Sequence, residues 1–274
     1  MRAGLFSLFS GFLMLACEHM GNGTCFIVGE IGMNHMGDSA YGDEYLAALL
    51  TAKPNAVTFQ IREKDFAPQQ PGGDLYLPDE YYRTAADRVQ KCGIQFGIAL
   101  CDAAKLSFFE DIETDFYKIL SKDIRNEKLV SAVLATGKPV YISTGMSDEE
   151  EIRTLLDSIG SRPNLSLIHT QLSYDDADTN LRAIARLRER FSIPVAFGLH
   201  ATTQSALYAA LGFAPSALFF YVRGNRPLEH RDQDHAVDLP DVAEVISTIR
   251  RLEDMMGSGT KKRMSNRIPA QQAV

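Results

Sequence analysis

The chain has 274 residues, enough for one large domain or two small ones, and its 45% hydrophobic and 23% charged content is ordinary for a globular protein. A formal net charge of −7 argues against a nucleic-acid surface, which is normally basic, yet leaves room for a locally positive pocket. The four cysteines, Cys17, Cys25, Cys92 and Cys101, are irregularly spaced with no CxxC pair, which speaks against a disulfide framework or a zinc site.

Met1 to Ala16 reads MRAGLFSLFSGFLMLA, one arginine followed by an apolar stretch too short for a transmembrane helix. A signal peptide, a lipoprotein anchor and an upstream start codon all give such a pattern. The third is preferred, because regular patterning starts only at Cys25. Residues 1–24 are therefore assigned to an N-terminal extension, residues 25–256 to one folded domain, and the polar, basic residues 257–274 to a tail.

From Cys25 onward, short β-rich apolar runs alternate with amphipathic stretches. The expected strands are Phe26–Gly29, Ala56–Ile61, Gln95–Leu100, Phe116–Leu120, Val140–Ser143, Ser166–Thr170, Val195–Leu199 and Leu218–Val222. The expected helices are Glu44–Thr51, Tyr81–Lys91, Ala104–Asp111, Glu127–Ala135, Asp148–Ile159, Leu181–Arg190, Thr203–Leu211 and Val242–Met255. Gly93, Gly137 and Gly212 are expected helix stops, and Ser147 the N-cap before the acidic turn Asp148-Glu149-Glu150. Eight strands each followed by a helix imply parallel pairing with helices outside, hence a (β/α)8 TIM barrel. An open doubly wound sheet is the alternative, but no GxGxxG or GxxxxGK[ST] follows the first strand.

In a parallel barrel the loops after the strands form the reactive face. The polar residues expected there are Glu30, Asn34 and His35, then Thr58, Gln60 and Arg62, then Lys118, Ser121 and Asp123. Ser143, Thr144 and Gly145 follow strand five, His169, Gln171 and Tyr174 strand six, His200 strand seven, and Arg223, Asn225, Asp234 and His235 strand eight. Lys118 alternates with Ile119 and should point inward, where a buried ammonium needs an anion or a carboxylate; an internal ion pair with Glu30 is one solution. Ser143 to Gly145 offer hydroxyls and close backbone approach ahead of a helix N-terminus, which suits a phosphate or carboxylate, or simple capping. His169 reads as a hydrogen-bonded core residue.

The same residues carry a family resemblance. GEIGMNHMGD (Gly29–Asp38), AVTFQ (Ala56–Gln60), FYKILSKDIRN (Phe116–Asn126), TGKPVYISTGMSDEEEI (Thr136–Ile152), LIHTQLSY (Leu167–Tyr174), NLRAI (Asn180–Ile184) and DHAVDL (Asp234–Leu239) resemble, in order, motifs of the N-acetylneuraminate (sialic acid) synthases. The resemblance implies joining of phosphoenolpyruvate to the open-chain aldehyde of N-acetylmannosamine or a related amino sugar, giving a nine-carbon 2-keto acid and phosphate in the cytoplasm. It implies that Lys118, Ser121, Ser143, Thr144 and Gly145 hold phosphoenolpyruvate, that Glu30 handles a proton, and that Asn34, Gln60, Tyr174, Asn180 and Asp234 orient the substrates, with Asp234 counted beside Glu30 and Lys118 as catalytic. It places His200 on one of two ligands of a divalent metal, Mn2+ or Mg2+.

The departures lie in the same places. FFYVRGN (Phe219–Asn225) stands where the family has EKHFTLD, so Tyr221 occupies the position of the second metal-binding histidine. Thr58 replaces a phosphate-binding lysine, and Gly198-Leu199-His200 replaces SDH. Each lost charge-assisted contact is worth about 1.5–3 kcal/mol. Arg223 is the expected compensating charge. The family's usual C-terminal cap is not expected in the residues after 256, so a homodimer or a partner chain is expected to close the site. A catalytically weakened barrel that binds a sugar or phosphate ligand or regulates an active partner remains open, as does a Schiff-base enzyme using Lys118.

Overall fold

The computed structural model describes residues 24–64, 66 and 75–261. The apolar start Met1–Ala16, Cys17 and most of the tail lie outside these residues.

The chain alternates strand and helix throughout. It runs β1 (Phe26–Gly32), α1 (Ser39–Ala52), β2 (Ala56–Ile61), α2 (Asp79–Lys91), β3 (Gln95–Leu100), α3 (Leu106–Asp111), β4 (Phe116–Ile119) and α4 (Glu127–Leu134). It continues with β5 (Val140–Ser143), α5 (Glu149–Ile159), β6 (Leu165–His169), α6 (Arg182–Phe191), β7 (Val195–Gly198), α7 (Ser205–Ala210), β8 (Ala217–Arg223), β9 (Val237–Asp238) and α8 (Val242–Met256). Strands β1 to β8 pair in sequence order, all parallel, and β8 pairs back to β1 from Phe26↔Ala217 to Glu30↔Tyr221. The sheet is therefore a closed barrel, as the strand–helix rhythm implies. The two-residue β9 adds to the end of β8, pairing Val222 with Val237 and Arg223 with Asp238.

Side-chain alternation divides the strands into an outer and an inner face. Ile27, Val57, Phe96, Tyr117, Ile142, Leu167, Phe197 and Phe220 pack outward in one continuous buried cluster with the helices. Phe26, Val28, Ala56, Phe116, Ile168, Ala196, Ala217 and Phe219 form a second cluster inside the barrel, with Tyr141 against it. Edge-to-face rings link Phe116, Tyr141 and Phe219, at centroid distances of 5.6 Å and 5.0 Å. The same inward register, continued toward the strand ends, brings Glu30, Thr58, Gln60, Lys118, Ser143 and Tyr221 above this apolar plug.

Two local expectations need correction. Asp148, not Ser147, caps α5: its carboxylate accepts from the N–H groups of Glu150 and Glu151, and the Glu151 side chain accepts from the Asp148 N–H, completing a capping box. A carboxylate at this end also meets the positive helix dipole, which a serine hydroxyl cannot match. Gly93 and Gly137 take left-handed backbone after their helices, but Gly212 lies within a 3-10 turn and Ala214 makes the left-handed stop instead. Cys25, Cys92 and Cys101 are free thiols, and no described helix is long and apolar enough to cross a membrane.

Gly97 on β3 shows how tightly the interior is filled, because a Cβ there would overlap the ring of Phe116. Overpacking of this kind costs about 1–3 kcal/mol, and a domain of this size loses about 2–4 °C per kcal/mol. Gly97→Ala should therefore lower the melting temperature by roughly 2–12 °C in calorimetry; an unchanged value would mean that Phe116 yields freely.

Candidate active site

The mouth is organised by a carboxylate and an ammonium on strands that are not neighbours. Lys118 Nζ on β4 donates to Glu30 Oε1 and Oε2 on β1 at 2.8 Å and 2.5 Å. The side chains are 6% and 3% exposed. Thr58, in the position where the resemblance expects lysine, donates its hydroxyl to Glu30 Oε2 at 3.5 Å. The ammonium sits 5.4 Å and 5.2 Å from the ring centroids of Phe219 and Tyr221. Aromatic faces stabilise a cation that has lost its water. Of the two partners expected for Lys118, an anionic ligand or Glu30, the structure shows Glu30.

Tyr221 fills the strand-eight position. Its hydroxyl donates to Gln60 Oε1 at 3.4 Å, and burial holds that phenol well above its usual range. Its ring meets the backbone of Gly32, where β1 bulges out of register with β2 and φ is +57°. A Cβ at Gly32 would stand 2.8 Å from that ring and 3.4 Å from Asp232 Oδ2. Only glycine meets both the left-handed φ and this closeness.

The segment after β8 folds back over the mouth and is held from β1 and α1. Asn34 donates to Val222 O at 2.8 Å and accepts from the Asp232 N–H at 3.2 Å, so both ends of its amide fasten this segment. Tyr45 accepts from the Gly224 N–H at 2.6 Å, and Tyr41 pairs with His230 at 2.7 Å. Arg226 reaches Asp38 and Glu44 at 2.6 Å each. The fold of this segment delivers Asp232 and His235 to the mouth. His235 stacks on His200 at 4.2 Å with 22° between the rings, Tyr174 stacks on His235 at 6.0 Å, and Tyr221 lies edge-on to His235 at 5.4 Å. Burial lowers His200 to about 3 and His235 to about 4, so both imidazoles are neutral at pH 7.

The remaining expected residues distribute unevenly. Ser143 is buried at the end of β5. Thr144 spends its hydroxyl on Ile168 O at 2.9 Å, tying β5 to β6. Gly145 lets the following loop approach β6, since a Cβ would meet Thr170 at 2.8 Å and Leu172 at 3.1 Å. Ser121 begins a 3-10 turn after β4, and Asp234 is exposed one residue before His235. Asn180, left-handed at φ 46°, lines a separate groove of about 450 Å³ with Arg182, Thr203 and Phe213. His169 bonds to Thr179 O at 3.0 Å, the core role expected of it. Arg223 departs from expectation: Nε donates to Asp238 Oδ1 at 2.5 Å and Nη1 to Gln233 O at 2.8 Å. The β8–β9 pairing brings Asp238 beside it, so its charge is committed there and does not replace the lost lysine.

The donors do not fit a divalent ion in this arrangement. The histidine planes at 200 and 235 are nearly parallel, so their ring lone pairs run side by side and do not converge. Position 221 offers a high-pKa phenol turned to Gln60. Among the described residues no three His, Cys, Asp or Glu side chains gather where an ion could sit.

Removing one partner of a buried pair leaves an uncompensated charge, which costs about 3–5 kcal/mol. Glu30→Gln should lose about that much in urea unfolding, while Glu30→Leu combined with Lys118→Met should recover most of it; a double variant as unstable as the single would refute the argument. Histidines give a second expectation. His35 and His235 are lowered to about 4 from 6.5 by burial. Below pH 6.5 the unfolded chain binds protons that the folded chain refuses, so stability falls as pH drops from 6.5 toward 4, by about 1.4 kcal/mol per pH unit for each histidine. His35→Asn should reduce that slope by one histidine's share in urea titrations across this window.

The comparisons with known proteins agree with this architecture. A solved N-acetylneuraminic acid synthetase from Leptospira borgpetersenii superposes with a TM-score of 0.80 at 24% identity, covering 89% of each chain. A DAHP synthase from Thermotoga maritima shares the fold with a TM-score of 0.71 at 15% identity, over 86% of this chain and 71% of that one. In sequence, an uncharacterized protein of Methanocaldococcus jannaschii is 29% identical over 89% of this chain and 76% of its own. The N,N'-diacetyllegionaminic acid synthase of Legionella pneumophila is 25% identical over 92% and 78%. The model of the NeuB family matches residues 45–261, most of the chain, and the chain therefore belongs to the NeuB family, a family of sialic acid synthase-like sugar-acid synthases.

Proposed function

We propose that this protein is a phosphoenolpyruvate-dependent synthase that condenses phosphoenolpyruvate with N-acetylmannosamine or a related aldose to a 2-keto sugar acid. The observation that carries this reading is the buried Glu30–Lys118 pair at the carboxyl ends of the strands. A buried ammonium offers its charge to a substrate anion in place of Glu30, and Glu30, left without its partner, is then ready to take up a proton. Arg231, whose positive charge acts on Asp232, is the guanidinium we assign to a phosphate in place of the lysine absent at Thr58.

The chemistry then balances as follows. C3 of phosphoenolpyruvate attacks the aldehyde carbon, forming the new C–C bond, and the aldehyde oxygen gains a proton. Water adds to the cationic C2 and gives a proton to Glu30, which is freed from Lys118 when the substrate anion binds. The bond between C2 and the bridging phosphate oxygen breaks, phosphate departs with the proton of the C2 hydroxyl, and the 2-keto group forms. Gln60 and Ser143, polar groups at the rim, orient the substrates.

A second reading has its own support. Thr58 in the lysine position and Arg223 committed to Asp238 reduce the positive charge facing a phosphate. A barrel that binds the ligand without turning it over would look the same. Phosphate release from phosphoenolpyruvate and N-acetylmannosamine, with and without Mn2+, separates the two. The synthase reading expects release that drops at least a hundredfold in Lys118→Met, because both the counter-charge and the poise of Glu30 are lost. Phosphoenolpyruvate binding by calorimetry with no release in any condition favours the second reading.

A further inference from the structure

We infer that Asp232, on the segment after β8, is the proton donor to the aldehyde oxygen in the mouth. The inference rests on the synthase reading above and adds to it a residue that strand-end patterning does not reveal.

Four observations place this carboxyl. Its Oδ2 lies 3.4 Å from the site of a Cβ on Gly32, against the same bulge that Tyr221 covers. Its Oδ1 is 3.8 Å from His235 Nε2. The Asn34 side chain fixes its backbone through the N–H at 3.2 Å, and Asn34 is itself completely buried. The Asp232 side chain is four-fifths covered yet keeps a fifth of its surface at the edge of the mouth, whereas Glu30 is almost fully covered.

The groups around it set its protonation. Glu30 on β1 opposes its charge, while Lys118 on β4, Arg231 beside it in the chain and a hydrogen bond from the Asn34 side chain favour that charge. His235 is neutral at pH 7, and Tyr221 on β8 stays a phenol. Burial first, and the Glu30 carboxylate second, push Asp232 up to about 7. Near neutral pH a substantial fraction is thus a carboxylic acid able to donate. The step balances: as C3 of phosphoenolpyruvate bonds to the aldehyde carbon, the carbonyl π-pair moves to oxygen, the Asp232 proton follows, and Asp232 becomes a carboxylate. Water addition at C2 releases one proton to Glu30, and exchange with solvent restores the acid at Asp232.

The test uses the full chain. In the wild type, turnover at saturating substrate should fall as pH rises through about 7, because the acid form is consumed. Asp232→Asn should lower turnover about a hundredfold or more and lose that alkaline limb, while an amide of the same size keeps the backbone bond to Asn34; Asp232→Glu should restore part of the rate and the limb. Carbon-13 carboxyl titration of the wild type, with Asp232→Asn to assign the signal, should give an apparent pKa near neutrality. An Asp232 that titrates in the ordinary aspartate range overturns the inference whatever the activity. So does Asp232→Asn with an unchanged rate and profile in an active wild type, and that result leaves the synthase reading intact. A wild type that releases no phosphate removes both.

Discussion

The mouth of this barrel depends on keeping one ammonium and one carboxylate out of water together. Desolvating either ion alone costs several kcal/mol, and their attraction offsets this only where geometry and further hydrogen bonds are good. Every neighbour serves that requirement. Thr58 donates to the carboxylate, Phe219 and Tyr221 present ring faces to the ammonium, and the aromatic plug below excludes water. Because Glu30 is on β1 and Lys118 on β4, the pair also spans the barrel. Closure of β1 onto β8 then fixes Tyr221 opposite Glu30 through the Glu30↔Tyr221 register. The chemistry available at the rim follows from a pairing inside it.

The segment after β8 is the second constraint, and it depends on the first strand and first helix. Asn34, Tyr41, Tyr45, Asp38 and Glu44 all contact it, so the motif following β1 acts as a clamp for residues nearly two hundred positions later. Three stacked or crossed rings, His200, His235 and Tyr221, result from that clamp. Tyr221 is therefore packed as part of a set. A phenol larger than imidazole fills the space, Gly32 makes room for it, and the segment's own histidine packs against His200.

The barrel was legible because its signals are local. Apolar runs bounded by glycines and polar strand ends repeat eight times, and the inward turn of Lys118 follows from a two-residue period. Errors arose where the deciding group is distant or where two caps compete. Asp148 outcompetes Ser147 because a carboxylate serves both the free N–H groups and the dipole. Arg223 goes to Asp238 because β9 pairs with β8, and two residues of strand carry no pattern to read. Asp232 gave no signal, since its position depends on an amide 198 residues away in the chain. Aspartates in a polar loop look alike until the loop's path is known.

The balance of charge at the rim links these features to function. Lys118 is neutralised by Glu30, both stacked histidines are neutral, and Arg223 is neutralised by Asp238. On the proposed reading, a polyanionic substrate entering this mouth would displace Glu30 from Lys118 or arrive together with protons. Displacement raises the negative charge near Asp232, since Glu30 and its new neighbour are then both anionic, and this holds the Asp232 proton more firmly. On the proposed reading, anion binding at Lys118 and the protonation of Asp232 would be coupled through Glu30, so that the event that brings the nucleophile in would also ready the donor.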